Sequence, residues 1–478
     1  MAGTADDFMR ESDAFSWYLE GDPALRATIV AVAWFDRAPE WDLLVERLER
    51  ATRLVPVFRH IPRQDPGRLA TPRWTVDPGF DLSWHLRRVG SPPPHTPETV
   101  LDLARVAAMT GFDTAHPLWE FTLVENLVGG GAALVMKVHH SLTDGIGGMQ
   151  LLLVLFDTDA HARADASGAF PDAPTGAVPG GTELVVRAAM HDVGKALGLL
   201  RSAAGTAVPA LWRIGRHPVR RARDSVETLR SVGRTIAPVL ETRSPVMRSR
   251  GLGRRLAMLR VDLGDLKAAA NAAGGSLNDG FVAAVTGGLR RYHEHHHAPA
   301  DELRVTLPIS IRTPDDPAAG NRITLERFSV PVALADPGSR IRATGERCRA
   351  ARGERSLPHT NAIAGALNLL PPRAVGSMLK HVDFLASNVP GLAFPVFLAG
   401  ARMTRYVPFG PTLGAAFNVT LLSYDGTCWV GVTLDSAAIP DTAVFMRCLA
   451  EGFDEVLALA APGARASGRV LGNGASHV

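Results

Sequence analysis

Apolar residues recur at helical spacing over Trp41–Val55, where Leu43, Leu44, Leu48 and Leu54 fall near one face. Thr28–Phe35 is a short β-favouring run. Phe121–Leu127 and Ala132–His139 read as strands, and Gly129–Gly131 between them supplies the tight turn of a hairpin. Gly145–Phe156 reads as a buried helix, so the pair His139-His140 falls at a strand end just before a helix. Further along, Ser276 is an N-cap with Asp279 three places on, opening a helix to about His293. Strands are predicted at Arg304–Ile309, Arg327–Leu334, Phe384–Asn388, Val396–Ala399, Ala415–Ser423 and Thr427–Leu434. Tyr424-Asp425-Gly426 forms the hairpin turn between the last two. Helices are predicted at Gly338–Arg352, Ala362–Leu379 and Asp441–Ala458. Strands interleaved with helices argue a mixed α/β protein, and no short-period repeat is visible.

Composition narrows the class. With 478 residues, 46% hydrophobic and 21% charged, the chain can bury a large core, which excludes wholesale disorder. A formal net charge of +3 gives no argument for nucleic acid. Cys348, Cys428 and Cys448 form neither a disulfide framework nor a Cys-x-x-Cys pair, so a reducing compartment is expected. Met1–Arg10 is polar and acidic, so no secretory signal is expected. No run reaches the ~18–20 apolar residues of a spanning helix.

The charge is unevenly placed. Glu183–Arg255 carries 15 Lys and Arg against 5 acids, a net +10 that leaves −7 elsewhere. Ala160–Gly181, rich in Ala, Gly, Pro and Asp, precedes it as an exposed linker. The expected division is an N-terminal half (1–160), a linker with a basic helical segment (161–255) and a C-terminal half (256–478).

The chemistry concentrates in His139-His140-Ser141-Leu142-Thr143-Asp144-Gly145, which has the form HHxxxDG. Histidine is the usual general base near neutral pH. The Asp144-Gly145 step allows a sharp reversal that folds the carboxylate back beneath the imidazoles, where an arginine is its simplest partner. Two other readings stand beside this one: a packed structural pair, or a metal held by His139, His140 and Asp144. Adjacent strand residues point to opposite faces, which disfavours the metal and assigns the chemistry to one histidine. No G-x-S-x-G elbow or Cys-His pairing suggests a covalent nucleophile. Direct transfer fits better: the base deprotonates a hydroxyl that attacks a thioester or ester.

HHSLTDG resembles the motif of the CoA-dependent acyltransferase superfamily, which includes chloramphenicol acetyltransferase and peptide-synthetase condensation domains. More closely, the chain resembles the bacterial wax ester synthase/diacylglycerol acyltransferases. The resemblance rests also on Ser12-Asp13-Ala14-Phe15, on Pro72, Trp74, Asp77, Phe80, Asp81 and His85, and on Pro117-Leu118-Trp119-Glu120. It extends through Asn278-Asp279, Pro308-Ile309-Ser310-Ile311-Arg312 with Gly320-Asn321, Ser387-Asn388-Val389-Pro390-Gly391 and Ser423-Tyr424-Asp425-Gly426. Only the basic middle is uncovered. Ser276-Leu277 stands where Thr-Val is usual, and Leu392 where proline is.

The resemblance implies two similar chloramphenicol-acetyltransferase-like α/β halves with an active-site tunnel between them. It implies His140 as general base, His139 as support, and Asp144 as a structural carboxylate paired with Arg312. Gly145 and Asp279 are motif positions. Asn278 is either a donor to the oxyanion or substrate, or with Asp279 only fixes its helix's first turn. Pro117 and Trp119 read as core, Asn388 and Gly391 as a turn beside the tunnel, and His293-Glu294-His295-His296-His297 as a solvated loop rather than a metal site.

The implied activity moves a fatty acyl group from acyl-CoA to a diacylglycerol or long-chain alcohol, with no metal or bound cofactor. Triacylglycerol or wax ester would be the product. The alternatives are a carrier-protein-bound donor, or a non-catalytic lipid-surface protein. The implied location is cytoplasmic, peripherally attached to the inner membrane or a lipid-droplet surface. Val185–Leu200 and Val208–Val219 mix apolar with basic residues, as an interfacial helix or a solvated linker would.

Overall fold

The computed structural model describes residues 7–68, 70–142, 154–159, 170–176, 180–190, 241–310, 323–353, 364–365, 367–368, 376, 379–460 and 471–472. The first half contributes α1 (Glu11–Leu19), β1 (Thr28–Phe35), α2 (Trp41–Leu54), β2 (His60–Arg63) and β3 (Arg73–Val76). It continues with α3 (Leu82–His85), β4 (Leu86–Gly90), α4 (Pro97–Met109), β5 (Trp119–Glu125) and β6 (Ala132–His139). The second half contributes β7 (Arg254–Asp262), α5 (Leu263–Ala272), α6 (Leu277–His295), β8 (Glu302–Ser310), β9 (Ile323–Pro331) and α7 (Pro337–Arg352). It ends with β10 (Phe384–Val389), β11 (Phe397–Leu398), β12 (Ala401–Phe409), β13 (Phe417–Tyr424), β14 (Thr427–Asp435), α8 (Thr442–Leu457) and β15 (Leu471–Gly472).

Two mixed sheets carry the fold, in the orders β11-β12-β1-β6-β5-β4 and β15-β7-β14-β13-β10-β8-β9. The sheets do not follow the division at 160 and 255. After Leu398, Ala399 and Gly400 take positive φ angles of 45° and 82° and make a two-residue hairpin. β12 then runs back beside β1, with Val32 opposite Val407. Two strands from the second half, β11 and β12, thus complete the first sheet. The crossing of the two sheets is close: a Cβ on Gly431 of β14 would lie 1.8 Å from the Pro408 carbonyl oxygen of β12, so only glycine fits there. Residues 241–253 also belong with the second half, because Ser244 and Met247 are fully buried and Met247 joins its core.

Most predicted elements appear within a few residues of their expected limits. β9 is displaced: it starts at Ile323 rather than Arg327 and ends at Pro331 rather than Leu334. Beyond Pro331 the amides of Val332 and Ala333 share one acceptor, the Asp301 carbonyl, so the ladder stops. The helix expected over Gly145–Phe156 is described only from residue 154. Most of the Ala362–Leu379 helix and of the basic middle also lies outside the described residues.

Candidate active site

β6 lies between β1 and β5, with His139 opposite Thr28 and Val138 opposite Trp119. His139 is its last residue, and its amide donates to the Leu118 carbonyl at 3.0 Å. The chain reverses at once: the Leu142 amide donates to the His139 carbonyl at 3.0 Å. His140 therefore sits in a turn, and strand alternation does not set its direction. Its amide donates to the Ala27 carbonyl at 2.9 Å, and the residue is half-buried.

His139 is fully buried. The Trp17 and Phe112 rings meet it edge-on at 6.0 and 5.9 Å. Its Nδ1 accepts from the Ser141 amide at 3.1 Å and lies 2.7 Å from the Ser141 hydroxyl. Its Nε2 lies 3.4 Å from Glu20 Oε2. Both ring nitrogens thus face protein groups, which suits a supporting residue. His140 occupies the more accessible of the two positions.

A buried charge cluster lies on the same side of the sheet. Lys137 Nζ donates to Glu120 Oε1 at 2.9 Å and to the Gly111 carbonyl at 3.1 Å, and sits 4.1 Å from the Phe112 ring centre. Burial pushes the Lys137 ammonium below its ordinary value, against the pull of Glu120. Burial alone would raise the Glu120 carboxyl, but Lys137 and Arg87 outweigh it and hold Glu120 below the usual range. Arg26 Nη1 donates to the Met109 carbonyl at 2.9 Å at the end of α4. Phe112 packs between Lys137 and His139.

The remaining predicted residues separate by role. His85 is buried between Phe80 and Trp119 at ring distances of 5.2 and 4.5 Å, and its Nδ1–H donates to the Trp119 carbonyl at 2.7 Å. Burial pushes its pKa down, so it packs as a neutral ring. Trp119 Nε1 donates to the Phe58 carbonyl, and Pro117 and Trp119 are core, as expected. Ser276 and Asp279 form a reciprocal capping box on α6. Asn278 takes no part in it; its amide faces Cys348 Sγ of α7 at 3.9 Å. Desolvation pushes the Cys348 thiol up to about 12. These contacts lie in the second half, and none of those described joins Asn278 to either histidine.

Gly391 and Ser423, from two separate predicted motifs, meet: a Cβ on Gly391 would fall 1.5 Å from the Ser423 carbonyl oxygen. Asp425 and Gly426 form the predicted hairpin turn, with φ of 45° and 76°.

The His293–His297 segment needs correction. α6 continues to His295, and His293 is fully buried, with Nε2 accepting from the Ser244 hydroxyl at 2.8 Å and Nδ1 donating to the Leu289 carbonyl. The following four positions are exposed. Among the described residues, no group of three His, Cys, Asp or Glu could hold a metal ion. Asp144, Gly145, Arg312, Gly320 and Asn321 lie outside the described residues.

Sequence reasoning missed Glu20, Arg26, Lys137 and the part played by Ser141. Lys137 left a visible signal, as the lone charge in the apolar strand AALVMKVH. Glu20 left a weaker one, as an acid at a helix C-terminus, where the helix dipole disfavours it.

Comparison with known proteins adds independent findings. The model of the wax ester synthase/diacylglycerol acyltransferase catalytic domain matches residues 9–281, and the C-terminal domain model of that family matches residues 319–456. A Mycobacterium tuberculosis H37Rv protein provisionally named a diacylglycerol O-acyltransferase is 35% identical, over 92% of this chain and 90% of its own. A second from that strain, similarly named, is 30% identical over 86% and 80%. The solved wax ester synthase/diacylglycerol acyltransferase of Marinobacter aquaeolei VT8 has a TM-score of 0.62 at 20% identity, covering 94% of this chain and 98% of that one. The first condensation domain of the calcium-dependent antibiotic synthetase also reaches 0.62, at 13% identity over 97% and 98%. At such identities the likeness speaks for the fold alone.

Proposed function

This chain belongs to the wax ester synthase/diacylglycerol acyltransferase family, and from that premise we propose that it moves a fatty acyl group from acyl-CoA to a diacylglycerol or long-chain alcohol. His140 is the general base. It takes the acceptor's hydroxyl proton as the oxygen attacks the thioester carbonyl. The tetrahedral oxyanion collapses, the C–S bond breaks, and His140 returns the proton to the leaving thiolate. His139 supports it, and the Asp144–Arg312 pair is carried on the motif resemblance. No metal or bound cofactor enters these steps. Given its contact with Cys348, Asn278 serves packing in this reading rather than the oxyanion.

The observation that carries the reading is the contrast within the pair: His139 fully buried, with Nδ1 bonded to Ser141 and Nε2 facing Glu20, and His140 half-buried in the turn beyond it. The test is purified protein with radiolabelled acyl-CoA against a panel of fatty alcohols and diacylglycerol. Turnover with either acceptor supports the reading. No turnover with free acyl-CoA, but transfer from an acyl carrier protein, would replace the donor.

We also propose that the protein works at a lipid surface. No helix among the described residues is long and apolar enough to cross a membrane. The helix over residues 181–190 leaves Val186 48% and Met190 70% exposed, at the start of the basic middle. Each basic residue near an anionic surface adds about 1 kcal/mol of attraction, weakened by salt. Co-sedimentation with anionic vesicles at low salt, lost at high salt and lost on deleting residues 183–240, is the expected result. A deletion that binds as well as the full chain would reduce the segment to a linker.

A further inference from the structure

We propose that Glu20 is a positioning residue for the histidine pair. Its carboxylate holds the His139 imidazole with the proton on Nε2, and so fixes the turn that presents His140. The inference rests on the reading of His140 as the base.

The tautomer follows from the contacts. The Ser141 amide has a hydrogen to give and His139 Nδ1 receives it at 3.1 Å, so Nδ1 keeps its lone pair. The ring proton then sits on Nε2, which faces Glu20 Oε2 at 3.4 Å. The arrangement closes a side-chain bridge across the reversal, because residue 139 accepts from residue 141 on either side of His140. An imidazole with its proton on Nδ1 could still donate to the Ser141 hydroxyl at 2.7 Å, but it would confront the Ser141 amide with a second donor, and the main-chain side of the bridge would open.

Glu20 is placed for this task and for little else. It is the C-cap residue of α1, where the helix dipole disfavours a carboxylate. Its side chain is only 11% exposed, so water does not solvate the charge freely. Neither of its oxygens makes a hydrogen bond within the described residues; its close charged contacts there are His139 and Arg26, whose Nε lies 3.6 Å away, and the Lys137 ammonium also feels its charge. Arg26 is anchored in turn on the Met109 carbonyl. The next residue, Ala27, receives the His140 amide at 2.9 Å. One dipeptide therefore holds Glu20 by a side chain and His140 by the main chain. A shift in Glu20 moves His139 and its turn against the fixed Ala27 anchor.

The test compares wild type with Glu20→Leu and Glu20→Gln. The 3.4 Å contact is electrostatic rather than a hydrogen bond, and glutamine keeps an oxygen dipole facing Nε2–H, whereas leucine does not. Glu20→Leu is expected to lower kcat on the order of 10- to 100-fold, by analogy with partners that orient a metal-ligating histidine, with KM for acyl-CoA little changed. Glu20→Gln is expected to retain most of the rate. A purely structural role would not produce that rescue together with a kcat-only loss.

The second readout needs no turnover. In ¹⁵N-histidine-labelled protein, long-range ¹H–¹⁵N spectra report which nitrogen of each ring is protonated. The His139 signal is identified by its loss in His139→Asn. Wild type should show the proton on Nε2, and Glu20→Leu a mixture. A wild-type proton on Nδ1 overturns the inference even if Glu20→Leu fails to fold. So does a folded Glu20→Leu with unchanged tautomer and kcat. Full activity in His140→Ala would instead sink the general-base reading, while leaving the tautomer result standing.

Discussion

His140→Ala is expected to remove most of the acyl-transfer rate, on the order of 10²- to 10⁴-fold, the range for a lost general base. The variant should fold, because the side chain is half-buried and the His140 amide keeps its bond to the Ala27 carbonyl. His139→Ala should behave differently. It empties a fully buried site between Trp17 and Phe112 and removes the acceptor of the Ser141 amide, so stability falls with activity. Among molecules that fold, its rate should exceed that of His140→Ala. The measurement is kcat at saturating acyl-CoA, with circular dichroism and a melting curve on the same preparations. A folded His139→Ala slower than a folded His140→Ala would reverse the assignment.

What was legible in the sequence was local. β1 and β6 have the predicted limits, and the Ser276–Asp279 capping box forms as its spacing requires. These features depend on residues a few places apart. β12 was not foreseen, although Ala401, Arg402, Met403 and Thr404 alternate buried and exposed. Its partner β1 lies more than 360 residues earlier in the chain, and alternation alone does not say which sheet a strand will join. The site shows the same limit. HHxxxDG was evident, but Glu20 reaches His139 from a helix end across over a hundred residues, with Arg26 behind it. Strand alternation also misled at one step: it aimed the two histidines to opposite faces, although the strand ends at His139, as expected, and a turn rather than alternation aims His140.

The largest expected loss of stability lies away from the histidines, at Arg340 on α7. Its side chain is fully buried. Nε donates to the Ala283 carbonyl of α6 at 2.9 Å, Nη1 to the Leu334 carbonyl at 2.7 Å, and Nη2 to Glu455 Oε2 of α8 at 2.6 Å. Glycine at 287 makes room for the guanidinium, since a Cβ there would come within steric conflict of Nη2. Burial pushes the Arg340 pKa below its ordinary value, and the Glu455 carboxylate opposes that cost. Arg290 and Arg291 reach the same carboxylate at 2.9 and 2.7 Å, so one acid serves three arginines. Glu455→Ala leaves the Arg340 charge buried without its partner, a loss of about 3–5 kcal/mol. Arg340→Ala should cost as much, through a cavity and unpaired carbonyls. For a cooperative unit of roughly 200 residues this corresponds to a fall in Tm of about 10 °C. Arg347→Ala is the control: its pair with Glu302 has side chains 53% and 33% exposed, and such surface pairs contribute about 0–1 kcal/mol. Calorimetry on the three variants should set the first two well below wild type and leave the third close to it. If Glu455→Ala melts with Arg347→Ala, the network joining α6, α7 and α8 contributes no more than a surface ion pair.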